Sequence, residues 1–241
     1  QKAYIVETEN TPLFLKSEGD RRYKEPFTTL ISKAEIPLEP GYKNKIEEMI
    51  KPLNGAVFEK EQEINLGSFV DFSEFSADLD KDLLNRVATA LYQSALPIQD
   101  VRIVSRKPSQ HAVAYTELGL EAVIEGEGAN LIMKNETGRP LMLLASAADH
   151  AVTFYMASTG DLKSGILVAQ KKDPVPPPVI TSVNKSLGRK ETRVISPGIP
   201  GYTVYVSRII DNDRVELYQD QYQPVSKIVE TGEKPLLTSD K

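Results

Sequence analysis

Apolar residues recur along this chain at two different periods, and the change of period divides it. Ile46, Met49, Ile50 and Leu53 fall at i, i+3, i+4 and i+7, which predicts a short helix over 44–53 with Asn44 as N-cap, Glu47 three residues on and Pro52 near its end. Leu84, Val87, Ala88, Leu91 and Ala95 form a second, longer stripe; Ser76, Asp78 or Asp80 caps that helix and Pro97 ends it. Tyr92 and the leucines beside it read as core. Before these helices, residues 2–40 read as loop with short strands at 3–6 and 13–15 and turns at 18–20 and 39–41. Between them, 64–75 reads as an extended segment with aromatic alternation.

Beyond Pro97 the period drops to that of strands. β-type runs stand at 101–104, 111–115, 121–124, 130–133, 141–147, 151–156 and 166–169, with turn chemistry at 126–128, 135–138 and 159–161. Their even spacing and the lack of intervening helical pattern predict an antiparallel sheet, so the expected class is α+β with two main helices. The DPVPPP run at 173–178 favours stiff polyproline II, which predicts a linker between an α+β domain with an N-terminal extension (1–172) and a small all-β module (179–241). That module shows strands at 191–195, 202–210, 214–218 and 227–230, and Asp211-Asn212-Asp213 predicts a hairpin. SPGIPGY, at 196–202, reads as a rigid loop, either a plain turn or part of a surface carrying Tyr202, Tyr205, Tyr218 and Tyr222.

Composition narrows the chemistry. The chain carries 29 Lys and Arg against 34 Asp and Glu, a formal net charge of -5, and no basic stripe, which argues against nucleic acid as a partner. It has no cysteine, so disulfides, thiolate metal sites and cysteine nucleophiles are excluded. His111 and His150 are its two histidines and neither stands at metal-ligand spacing. Acidic runs at 59–63 and 76–82 read as a solvated face and helix caps. Nucleophile elbow, phosphate loop, dinucleotide fingerprint and calcium loop are all missing, so no cofactor or metal is expected. No run of about 18 apolar residues is present, and the opening Gln1-Lys2 leads to the expectation of an upstream leader or membrane anchor.

INLGSFVDF, VATALYQSAL, RKPSQHAVAYTELGLEAVI and NLIMKNETGRPLML together resemble the VanW family of cell-envelope proteins, found in some vancomycin-resistance clusters of Gram-positive bacteria. ISPGIPGYTVYVSRI and YQPVSKIVETG are similar to the tail that follows such domains and resemble G5-type modules; the likeness spans 43–232. Arg106, Pro108, Tyr115 and Gly119 match the family pattern and Glu121 takes its acidic position. Where relatives place cysteine and histidine, this chain has Leu83 to Val87, Lys107 and Ser109. The resemblance implies an exported or anchored, non-catalytic protein that binds peptidoglycan, another wall glycan or an envelope protein in wall assembly, antibiotic resistance or spore physiology. The ligand-binding residues it suggests are Asn85, Arg86, Arg106, Tyr115, Glu121, Tyr202 and Tyr218. The alternative is a wall-modifying enzyme using the carboxylates Glu121 and Asp78 with Arg106 or His111.

Overall fold

A computed structural model describes residues 5–8, 11–14, 26–70, 78–125 and 131–232. In chain order the strands are β1 (Ile5–Thr8), β2 (Thr11–Phe14), β3 (Thr29–Pro37), β4 (Val57–Phe58) and β5 (Glu63–Asn65), with helix α1 (Lys43–Ile50) between β3 and β4. A single 3-10 turn at Leu66–Ser68 and helix α2 (Asp78–Ala95) follow. Next come β6 (Val101–Arg106), β7 (Leu131–Asn135), β8 (Leu141–Ala147), β9 (Ala151–Ser158) and β10 (Ile166–Val175). Strands alone then remain: β11 (Val179–Val183), β12 (Thr192–Ser196), β13 (Gly201–Ile210), β14 (Asp213–Tyr222) and β15 (Lys227–Thr231). The class is α+β with a C-terminal all-β part, as the periodicities predict. The first core is a four-stranded antiparallel sheet, ordered β3-β9-β8-β4, with both helices packed on it.

Both helical stripes are buried. In α1, Ile46, Met49 and Ile50 lie inside, joined by Leu53 just past its end. Its N-cap is Tyr42, without a side-chain cap bond, and Asn44 lies one residue inside the helix. From Val87 of α2 to Leu96 just past its end every residue except Gln93 is buried, so the second half of this helix is enclosed on all sides. Thr89 and Ser94 are part of that buried surface. Asp80 lies within α2 rather than capping it, while the side chains of Ser76 and Asp78 and the turns at 18–20 and 126–128 lie outside the described residues.

Several expected strands are placed differently. Strand β3 occupies a stretch expected to be loop; its inward positions alternate with exposed ones and Pro37 closes it. Only 63–65 of the aromatic segment is strand, before the 3-10 turn, and 71–77 lies outside the described residues. Residues 111–115 and 121–124 form no strand. The hairpin between β13 and β14 turns at Asp211-Asn212, both with positive φ (50° and 72°), which matches the twist of the flanking strands.

The proline run does not keep strand pairing out. Asp173, Pro174 and Val175 end β10, an edge strand whose register shifts between Lys172 and Val175, and an edge tolerates a residue with no N–H to give. β10 pairs with β13, and β13 with β14, and Val204, Val206 and Tyr222 from this sheet belong to the same core as α2. The sheet β11-β15-β12 adds no residue to that core. Three stretches join it to the rest, 176–178, 197–200 and 223–226, and each carries proline. They touch one another. Ile199 and Val225 exchange two main-chain hydrogen bonds (3.0 and 2.8 Å), and Lys227 N–H donates to the Pro178 carbonyl at 2.7 Å. A Cβ at Gly198, where φ is 72°, would lie 2.7 Å from Pro177 Cβ and 2.8 Å from Val225 O, so the neck closes only around glycine.

Candidate functional site

Three polar side chains on α2 build the site's frame. Asn85, Thr89 and Gln93 are four residues apart and so share a face. Their partners, Ile124, Ala122 and Leu120, are two apart on an irregular segment. Asn85 Oδ1 accepts from Ile124 N–H at 2.8 Å. Thr89 Oγ1 accepts from Ala122 N–H at 3.0 Å and donates to Ala122 O at 3.3 Å. Gln93 Nε2 donates to Leu120 O at 2.8 Å and to Thr116 Oγ1 at 2.7 Å. Four residues of helix rise about 6 Å and two of extended chain about 6.6 Å, so the two repeats stay in step. A helix edge thus satisfies four main-chain groups of 120–124, and the Val123 N–H goes to the Lys107 carbonyl at 2.9 Å. That is why a segment with β-type pattern makes no strand.

The same segment turns Glu121 the other way, into a sealed cluster. Glu121 is 0% exposed. Its carboxylate accepts from Ser109 N–H (3.1 Å), Gly119 N–H (3.0 Å) and the Tyr222 hydroxyl (2.5 Å). Arg106 lies 3.8 Å from it, donates to the Glu121 carbonyl at 2.7 Å and forms a 2.6 Å ion pair with Asp220 of β14. The rings of Tyr92 and Tyr218 lie over the guanidinium at 5.1 and 4.6 Å, and the Tyr218 hydroxyl donates to Gly119 O at 2.8 Å. Burial, with Glu121 adding to it and Arg106 opposing, pushes the Asp220 carboxyl up to about 6. Burial also raises the Tyr92 and Tyr222 hydroxyls. On Arg106 burial works against the charge, but Tyr92 and the two carboxylates outweigh it and the guanidinium is held charged.

What the frame presents to solvent is a groove of about 590 Å³. Residues 112–118 make one wall; Lys171 of β10, Ile199 and Pro200 of the neck, and Tyr202 of β13 make the other. Tyr115 is braced from behind by Arg86, whose guanidinium lies 4.7 Å from the ring centroid. Arg86 is itself held by Asp82 (2.8 Å) and the Pro37 carbonyl (2.7 Å). Across the groove, Lys171 Nζ sits 5.6 Å from the Tyr202 ring centroid. The chemistry on offer is two aromatic faces, one cation, the Glu117 carboxylate and small apolar side chains, which suits recognition.

The sequence candidates therefore separate by place. Tyr115 and Tyr202 face each other across the groove, with Arg86 behind Tyr115. Asn85, Arg106, Glu121 and Tyr218 hold the framework. Tyr222, expected on an exposed surface, is buried because it alternates inward with Asp220 along β14. Glu121 cannot serve as a general acid or base toward a ligand, since a desolvated carboxylate with three donors already bound has no open approach. His111 is exposed and its Nδ1 lies 3.1 Å from Gln223 O on the neck. Asp220, Lys171 and Glu117 were missed, while Tyr92 lies in the core as expected. Extending the period-two pattern of β14 beyond Tyr218 would have turned Asp220 inward. Lys171 and Glu117 carry no signal until the neck folds back.

Residues 84–157 match the family model for VanW like protein, which is less than a third of the chain. Among solved structures, the crystal structure of HP0197-G5 is 15% identical and covers 28% of this chain and 99% of its own, with a TM-score of 0.18. The IgA1 protease G5 domain structure is 21% identical and covers 32% and 100%, with a TM-score of 0.20. No curated protein matches the chain.

Proposed function

We propose that this protein is a non-catalytic binding module of the Gram-positive cell envelope, exported or anchored at its outer face. The observation that carries this reading is the placing of chemistry. Its reactive-looking cluster, Arg106, Glu121 and Asp220, is sealed and spent on structure, while the solvent-facing groove carries Tyr115, Tyr202 and Lys171. The VanW-like segment 84–157 supplies one wall and residues outside it supply the other. On this reading 1–172 form the VanW-like part, 173–178 lead out of it, and 179–241 form a G5-like part that shares strands with the first core. The partner is peptidoglycan or another wall glycan, or an envelope protein, serving wall assembly, antibiotic resistance or spore physiology.

Sedimentation with purified peptidoglycan sacculi tests this. Wild type should pellet at low salt and Tyr202→Ala with Lys171→Ala should stay in the supernatant. A wild type that stays in solution with sacculi and with isolated envelope proteins alike refutes it. Muropeptide profiles should be unchanged by incubation with the protein.

A further inference from the structure

The groove wall built from 112–118 leaves the fold and returns to it on a single anchor. Where it leaves, Ser109 N–H donates to Glu121 Oε1 at 3.1 Å; where it returns, Gly119 N–H donates to Glu121 Oε2 at 3.0 Å. A surface loop whose ends meet in this way has the form of an Ω-loop. The anchor is a fully buried carboxylate, and main-chain bonds to a buried charge are stronger than those between neutral groups. One side chain therefore fixes the span of the whole loop.

The end of β14 holds the same two points from the other side. At the start of the loop, Gln223 N–H donates to Gln110 O at 2.9 Å and Gln223 O lies 3.1 Å from His111 Nδ1. At its close, the Tyr222 hydroxyl accepts from Gly119 N–H at 2.6 Å while donating to Glu121, and the Tyr218 hydroxyl donates to Gly119 O at 2.8 Å. Gly119 also lies against β13, where a Cβ would come within 2.6 Å of Val206 Cγ2. Tyr222 stands opposite Tyr202 in the β13–β14 register, and Lys171 is on β10 of the same sheet. The loop that carries Tyr115 is thus clamped to the sheet that carries the facing wall.

We infer that Glu121 and Tyr222 are positioning residues of the groove, which hold the ends of loop 110–118 against β14 and so set the spacing of its two walls. Both are buried and act on a ligand only through the loop. A wall fixed in advance spares the ordering that a loose loop would undergo on binding. That the spacing serves binding rests on the groove being the site proposed above.

The chain has no cysteine, so Ala114→Cys with Lys171→Cys takes spin labels at two exposed places only, one on each wall. Double electron–electron resonance on this labelled chain should give one narrow distance distribution. Adding Glu121→Gln or Tyr222→Phe should abolish the single narrow peak, leaving a broad or split distribution. Phenylalanine keeps the ring of Tyr222 and removes only the hydroxyl, so it tests the clamp even if the glutamine variant fails to fold. Phe154→Leu, a core change in β9 outside the clamp, lowers stability and should leave the peak as it was, which separates positioning from general loosening. The inference is overturned if the parent distribution is already broad, if neither clamp variant changes it, or if Phe154→Leu changes it as much. Unlabelled Tyr222→Phe should also lose retention by sacculi. A broadened distance with sacculus retention unchanged leaves the clamp standing and removes the groove as the wall-binding site.

Discussion

Replacing Glu121 by Gln changes one oxygen for an amide and keeps the shape, so it isolates what the buried carboxylate contributes. Its Oε1 accepts from Ser109 N–H and the Tyr222 hydroxyl and its Oε2 from Gly119 N–H. A glutamine can present only one acceptor. With the carbonyl toward Ser109 and Tyr222, the new NH2 points at the Gly119 N–H, two donors facing each other; the reverse orientation sets it against Ser109. At least one main-chain N–H loses its carboxylate acceptor, which costs about 1–3 kcal/mol, more when the lost bond was to a charge. Relief of repulsion with Asp220 offsets part of this, and Gly119 N–H keeps a 2.6 Å bond to the Tyr222 hydroxyl. The net expectation is about 2 kcal/mol of lost stability, or roughly 4–8 °C in Tm for a chain of this size. Differential scanning calorimetry measures it, with chemical denaturation as a check. A Tm within about 1 °C of wild type would show that the carboxylate is not a structural latch, and the case for a non-catalytic centre would weaken with it.

Three further outcomes follow from neighbouring residues. The folded-state value near 6 for Asp220 lies above the ordinary 3.8, so the folded protein holds that proton more tightly and loses stability as pH rises through this window. The loss is about 3 kcal/mol at about 1.4 kcal/mol per pH unit, and subtracting the urea-derived stability curve of Asp220→Asn from that of wild type should expose it. Gly119→Ala would set a Cβ 2.6 Å from Val206 Cγ2 at a φ of +92°; together the strain and the clash should cost about 3 kcal/mol, read as a lower urea midpoint. Thr89→Val removes the partner of both Ala122 main-chain groups and should cost about 2–4 kcal/mol, with faster amide exchange at Ala122.

Much of the scaffold is written locally. The stripe through Leu84, Val87, Leu91 and Ala95, the strand at 141–147 and the turn at Asp211-Asn212 depend on neighbours three, two or one residue away, and all were legible. What failed depends on distant partners. The pattern of 111–115 and 121–124 is that of a strand, but whether a strand forms is decided by what lies alongside, and beside the second run it is Asn85, Thr89 and Gln93 of a helix. Pro174 reads as a sheet breaker until β10 is known to be an edge. The groove was half legible: Tyr202 stood out as an aromatic beside a rigid turn and Tyr115 through the family resemblance, whereas Lys171 gains meaning only when the neck brings 199–202 back against it.

The neck has a mechanical consequence. A sheet hung on a single linker swings; one hung on three proline-bearing stretches, two of them hydrogen-bonded to each other and the third to the first residue of β15, tilts only if all three bend at once, so β11-β15-β12 is mounted on the core rather than hinged from it. The middle stretch of that mount carries Ile199 and Pro200, which are also groove wall, and the third bonds Gln110 and His111, which lead into the opposite wall. Tension applied to the far sheet would reach the groove without first unfolding anything. Occupancy of the groove would in turn brace the mount against that pull.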